Sequence, residues 1–114
     1  GAYAISSDWA VSTFNPFEIM QVAVTRQDPE AGPDSEVLTP QHRVDVDTVV
    51  RGYTRHAAEC AWRADSTGTL EQGKHADLIV LDRDIYEIPS HELHETNVLL
   101  TLLDGEAVHQ SHDF

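Results

Sequence analysis

Gly68-Thr69-Leu70-Glu71-Gln72-Gly73-Lys74-His75-Ala76-Asp77-Leu78-Ile79-Val80-Leu81-Asp82 is the stretch on which the reading of this 114-residue chain turns. Gly68 and Gly73 punctuate a turn, and the apolar run between Asp77 and Asp82 has the length and composition of a strand, apolar enough to be covered on both faces. Before it the hydrophobic period is helical; after it the period is that of a sheet. Downstream, Val98 to Leu103 and Glu106 to His109 flank Asp104-Gly105, the dipeptide favoured in a two-residue hairpin turn. Pro89 and Ser90 open a short turn or helix that runs through Glu95.

Upstream, Asp45 caps a helix whose apolar positions Val46, Val49, Val50, Tyr53, Ala57, Cys60 and Ala61 recur every three or four residues, with Val44 and Val49 at staple spacing. Asn15 before Pro16, with Glu18 three residues on, reads as a capping box and predicts a helix over residues 16–26. Between these helices, residues 27–43 hold Pro29, Pro33 and Pro40 with Gly32 and several acids, so they form a long exposed loop. At the start, Ala2 to Ser6 is short and apolar and meets Ser7, Asp8 and Trp9, the pattern of a buried strand ending at a polar loop. The resulting fold class is α+β, a small mixed domain.

Seven Lys and Arg against twenty Asp and Glu give a formal charge of -13. Such a field repels phosphate backbones and anionic headgroups, so nucleic acid and membrane surfaces are not expected partners. The longest apolar stretch, around Val98 to Leu103, is far below the roughly 20 residues of a membrane span. With one cysteine, Cys60, no intramolecular disulfide framework exists, and cytoplasm is the expected compartment. Cys60 lies on the apolar stripe of its helix and reads as a packing residue.

Seven histidines invite a metal reading. The tightest group, His91-Glu92-Leu93-His94-Glu95, places its histidines at i and i+3 where the zincin helix needs i and i+4. A solvated acidic surface turn is the plainer reading. His42, His56 and His75 are dispersed, and His109 and His112 lie near the end of the chain. Ser6, Ser7 and Ser12 fit no nucleophile elbow, and no glycine-rich phosphate loop occurs. Trp9 and Trp62 read as core or rim side chains.

Two stretches taken together resemble a known family. One is Ile5-Ser6-Ser7-Asp8-Trp9 with Val11-Ser12 and Val22-Ala23-Val24-Thr25-Arg26. The other is Tyr53-Thr54 with Ala57-Ala58, followed by Gly68 to Lys74 and Ala76 to Asp82. In order and spacing they are similar to the C-terminal third of the amidohydrolase superfamily, closest to its amidohydrolase 3 branch, over about Ala2 to Val108. The resemblance implies that residues 1–66 are the last strand and helices of a (β/α)8 barrel. Residues 67–114 are then part of the flanking β-sandwich, ending in its hairpin. It also implies a divalent, zinc-like metal in the parent enzyme and hydrolysis of non-peptide carbon-nitrogen bonds.

By the same resemblance Asp8 is the metal ligand and the base that takes a proton from the attacking water. The family's other ligands, a His-x-His pair, a bridging Lys or Glu and two further His, lie on strands upstream of the matching segment. Ala10 stands where close relatives usually have Pro, and His56 where many have Asn. A metal-bound hydroxide needs three or more protein ligands and a base, which Asp8 alone does not provide. The expectation is therefore a chain silent in catalysis and metal-free by itself, completed by a missing barrel chain. The rival reading is an autonomous self-associating or binding module. Apolar faces that lost a barrel would be covered in a homo-oligomer or a strand-exchanged dimer.

Overall fold

The computed structural model describes residues 2–114. Its elements are α1 (Pro16–Thr25), α2 (Val46–Tyr53), α3 (Arg55–Cys60), β1 (Leu78–Leu81), β2 (Val98–Leu103) and β3 (Glu106–Gln110), with 3-10 turns at Pro40–His42 and Ser90–Glu95. The strands form one antiparallel sheet in the order β1-β2-β3. Helices and an antiparallel sheet in one small unit satisfy the α+β expectation.

Both predicted caps are made. The Asn15 side chain accepts from the Phe17 amide at 3.1 Å, and that of Asp45 accepts from the Thr48 amide at 2.8 Å. In place of a full capping box, Glu18 receives the Asn15 side-chain amide at 3.4 Å, while the Asn15 backbone N–H donates to Thr13 at 3.1 Å. α1 ends where Arg26 turns left-handed (φ 57°) and donates its amide back to Val22. The hairpin forms as read, with Asp104 (φ 50°) and Gly105 (φ 83°) both left-handed, the geometry that matches strand twist.

The core is small. Phe17, Met20 and Val49 form its buried cluster, with Ile5, Leu81 and Val98 packed against it, so helices, sheet and the N-terminal segment share it. Loop 27–43 is tied back onto α1: Arg26 donates to the Leu38 carbonyl and the Thr39 hydroxyl, and Arg43 donates to the Thr25 carbonyl. Lys74 binds the turn before β1 by donating to the Ala64 carbonyl and the Thr69 hydroxyl, both at 2.7 Å. The next residues clasp the hairpin. Asp77 accepts from the Asp104 amide at 2.7 Å, and the Gly105 amide donates to the Ala76 carbonyl at 3.1 Å.

Five expectations are corrected. Residues 2–6 are extended but belong to no sheet; their tie to the fold is the Ile5 amide donating to the Gly52 carbonyl at 3.1 Å. A strand needs a neighbouring strand to saturate its backbone, and among the described residues none lies beside this segment. The second helix does not run through to Ala61. It breaks at Thr54 (φ -115°, ψ -87°), whose hydroxyl donates back to the Val50 carbonyl at 2.8 Å, a bond that bends helices. Because the path resets there, Ala58 is the buried residue of α3 and Cys60 is exposed rather than packed. β1 is not covered on both faces: Ile79 is 49% exposed. The His91–Glu95 segment is not a solvated turn. It is the 3-10 turn seated on α1, with Leu93 fully buried beneath it.

The chain is more open than a self-sufficient domain of its mass. Its accessible surface is 7815 Å², where a compact 12.7 kDa monomer exposes about 6,200 Å². Its radius of gyration is 15.0 Å, where about 13 Å is usual at this length.

Candidate functional site

The extended segment that carries Asp8 reaches its position by close approach to α2. A Cβ on Gly52 would lie 2.7 Å from the Ile5 side chain and 3.3 Å from the Tyr3 carbonyl, so only glycine lets the two backbones meet there. Ile5 is thereby seated on the Phe17–Met20–Val49 cluster. Three residues later the chain turns. Asp8 is left-handed (φ 50°), its carbonyl accepts the Val11 amide at 2.8 Å, and the Ser7 hydroxyl accepts the Trp9 amide at 3.2 Å.

The Asp8 side chain is exposed at this corner. Trp9 and Phe14 meet edge to face beside it, centroids 5.1 Å apart and planes at 88°. Both rings and Val11 lie open to solvent, at 65%, 73% and 81% exposure. Past the corner, the Ser12–Thr13 segment, α1, residues 28–30 and His94 line a cavity of about 660 Å³.

As a metal centre the corner is incomplete. A zinc-like ion takes three or four protein ligands, and no three His, Cys, Asp or Glu side chains come together among the described residues. Asp8 offers one carboxylate. His56 is on α3 and His75 pairs with Asp104 at the hairpin, 2.7 Å apart, so neither joins it.

Sequence reading missed the polar seam between α1 and the 3-10 turn. Gln21 and Gln27 are buried, and their side chains hold His94 and His91. The signal was there: Phe17, Met20 and Gln21 share one helix face, so an amide stood on a core-facing stripe. Elsewhere, Asp82 binds Arg83 and Asn97, and the Arg83 guanidinium, then the Asn97 amides, hold its carboxyl well below the usual carboxylate range. Burial pushes the Tyr53 phenol up, and its hydroxyl is buried with no hydrogen-bond partner in the structure.

The model of the family described as the amidohydrolase family matches residues 2–109. The chain belongs to this family. Among curated relatives it is 38% identical over 102 residues to an N-substituted formamide deformylase of Arthrobacter pascens, covering 90% of this chain and 18% of that protein. It is 36% identical over 66 residues to an s-triazine hydrolase of Gordonia rubripertincta, covering 57% of this chain and 13% of that protein. It is 27% identical over 106 residues to Protein LONG AFTER FAR-RED 3 of Arabidopsis thaliana, covering 93% of this chain and 18% of that protein. The chain thus spans less than a fifth of the length of these relatives. No solved structure matches it. The amidohydrolase family is generally metal-dependent, and among the described residues no helix is long and apolar enough to cross a membrane.

Proposed function

We propose that residues 1–114 are the C-terminal portion of a metal-dependent hydrolase of non-peptide carbon-nitrogen bonds, derived from the last barrel unit and the adjoining β-sandwich. In this reading Asp8 contributes one metal ligand and the proton-accepting carboxylate. The remaining ligands come from barrel strands outside residues 1–114, on the same polypeptide or a partner chain. The observation that carries the reading is the match over residues 2–109 to a family whose members here are several times longer. The uncovered Trp9, Val11 and Phe14 beside Asp8 support it, since apolar side chains at a corner call for a packed neighbour.

The test is metal content and hydrolysis of N-substituted formamides by the longest polypeptide containing this sequence. Asp8→Asn is expected to lower kcat by about 10²-fold or more while the circular dichroism spectrum is kept. Undiminished kcat and metal content in Asp8→Asn would sink the assignment. The rival reading, a self-associating module without metal, draws on the same uncovered face. It predicts a concentration-dependent dimer mass for the 114-residue chain in light scattering, abolished by Trp9→Ser with Phe14→Ser.

A further inference from the structure

Two buried glutamines fix the tautomers of two histidines in opposite senses. The His94 backbone N–H, which can only donate, lies 2.9 Å from one Gln21 amide atom, so that atom is the oxygen. The same oxygen lies 2.7 Å from His94 Nδ1, which must therefore carry a proton and donate. Neutral His94 is left with its lone pair on Nε2. At the other glutamine, one amide atom lies 2.9 Å and 2.7 Å from the Pro33 and Ser35 carbonyls, so it is the nitrogen. The Gln27 oxygen then accepts from His91 Nε2 at 2.8 Å, and neutral His91 keeps its lone pair on Nδ1.

His94 lines the 660 Å³ cavity, together with acidic and apolar side chains. Glu18, Asp28 and Glu30 contribute carboxylates, and Ile19 and Val22 an apolar wall. Arg26 is on the lining too, but its guanidinium is engaged with the Leu38 carbonyl and the Thr39 hydroxyl. Glu95 adds a further negative charge 4.0 Å from His94 Nε2. A metal ion is disfavoured, because no three ligating side chains converge among the described residues. Anions are opposed by the lining and by the net charge of -13.

We propose that this cavity binds a primary alkylammonium, His94 Nε2 accepting one of its N–H groups, the surrounding carboxylates attracting its charge, and Ile19 and Val22 receiving its alkyl chain. The inference is independent of the hydrolase reading, since it uses neither Asp8 nor a metal.

The experiment is an NMR titration of the 114-residue chain, ¹⁵N-labelled at histidine, with n-hexylammonium chloride, n-hexanol and sodium hexanoate. Before ligand, His94 should show the Nδ1–H tautomer and His91 the Nε2–H tautomer. Hexylammonium should shift His94 Nε2 and the Ile19 and Val22 methyls saturably, binding at least about tenfold more tightly than hexanol or hexanoate. Gln21→Leu should release the tautomer and weaken binding. If that variant does not fold, Glu18→Gln and Asp28→Asn, both at solvent-accessible positions, should each weaken hexylammonium binding and leave hexanol unchanged. An Nε2–H tautomer at His94, equal binding of hexanol or hexanoate, no saturable shift, or zinc chloride producing the His94 shift at lower concentration than hexylammonium would each overturn the proposal.

Discussion

The two sides of α1 are treated in opposite ways. On its inner side, Leu93 of the 3-10 turn is fully buried, and the polar groups brought in with it, Gln21, His94, Gln27 and His91, all find partners. At its leading end, the corner that holds Asp8 leaves Trp9, Val11 and Phe14 uncovered, and residues 2–6 extended beside α2 without a strand partner. An unsatisfied buried amide is costly, so the pairing of both glutamines with both histidines makes the seam a finished interface. The corner is a surface whose cover lies elsewhere in the hydrolase reading. This segment of the family thus keeps its own internal packing while the edge that carries Asp8 stays bare.

The largest expected effect tests that contrast directly. Leu93→Ala removes a side chain with no exposure and should cost about 2–5 kcal/mol in urea unfolding of the chain. Trp9→Ala, although larger in volume lost, should stay within about 0.5 kcal/mol. Equal costs at the two positions would erase the distinction between seam and corner.

An intermediate effect sharpens it at the one place where the corner is anchored. Gly52→Ala puts a methyl 2.7 Å from Ile5, an overpacking worth about 1–3 kcal/mol. The expected signature is local: faster hydrogen exchange at the Ile5 amide and earlier proteolysis within residues 2–12, with the Gln21 and His94 amides unchanged. Loss of protection throughout the chain would mean that the segment is integral to the core rather than an edge laid upon it.

The smallest effect is electrostatic. The folded pKa of Asp82 is depressed by Arg83 and Asn97, and that of Asp45 by its hydrogen bonds with Thr48. A depressed folded pKa adds stability above the ordinary carboxylate pKa, and that stability is lost as pH falls through the ordinary carboxylate range toward the folded value. Denaturant midpoints should therefore drop on acidification below about pH 4. Asp82→Asn should flatten this dependence, and an unchanged slope would remove Asp82 from the account. Both groups are solvent-exposed, which keeps the effect small.

Much of the fold was legible along the chain because it depends on local chemistry. Asn15-Pro16 and Asp45 announced helix starts, since a short polar side chain there takes up free amides. Asp104-Gly105 announced the hairpin, since both positions need left-handed backbone. Asp8 was legible as a candidate only through its neighbours Ser6, Ser7 and Trp9 in a family pattern; an isolated aspartate at a segment end has no signature of its own.

The sequence by itself determined the helix starts, the hairpin turn, the charge and the family pattern, all of which rest on contacts within a few residues or on a linear pattern. Tertiary structure alone decided what lies between elements. It broke the second helix at Thr54, turned Cys60 outward, denied residues 2–6 a sheet, and joined Gln21 to His94 across 73 positions. The physical reason is common to all four. Whether a backbone group, a side-chain amide or an apolar face is satisfied depends on which distant segment arrives beside it, and no local propensity encodes that arrival.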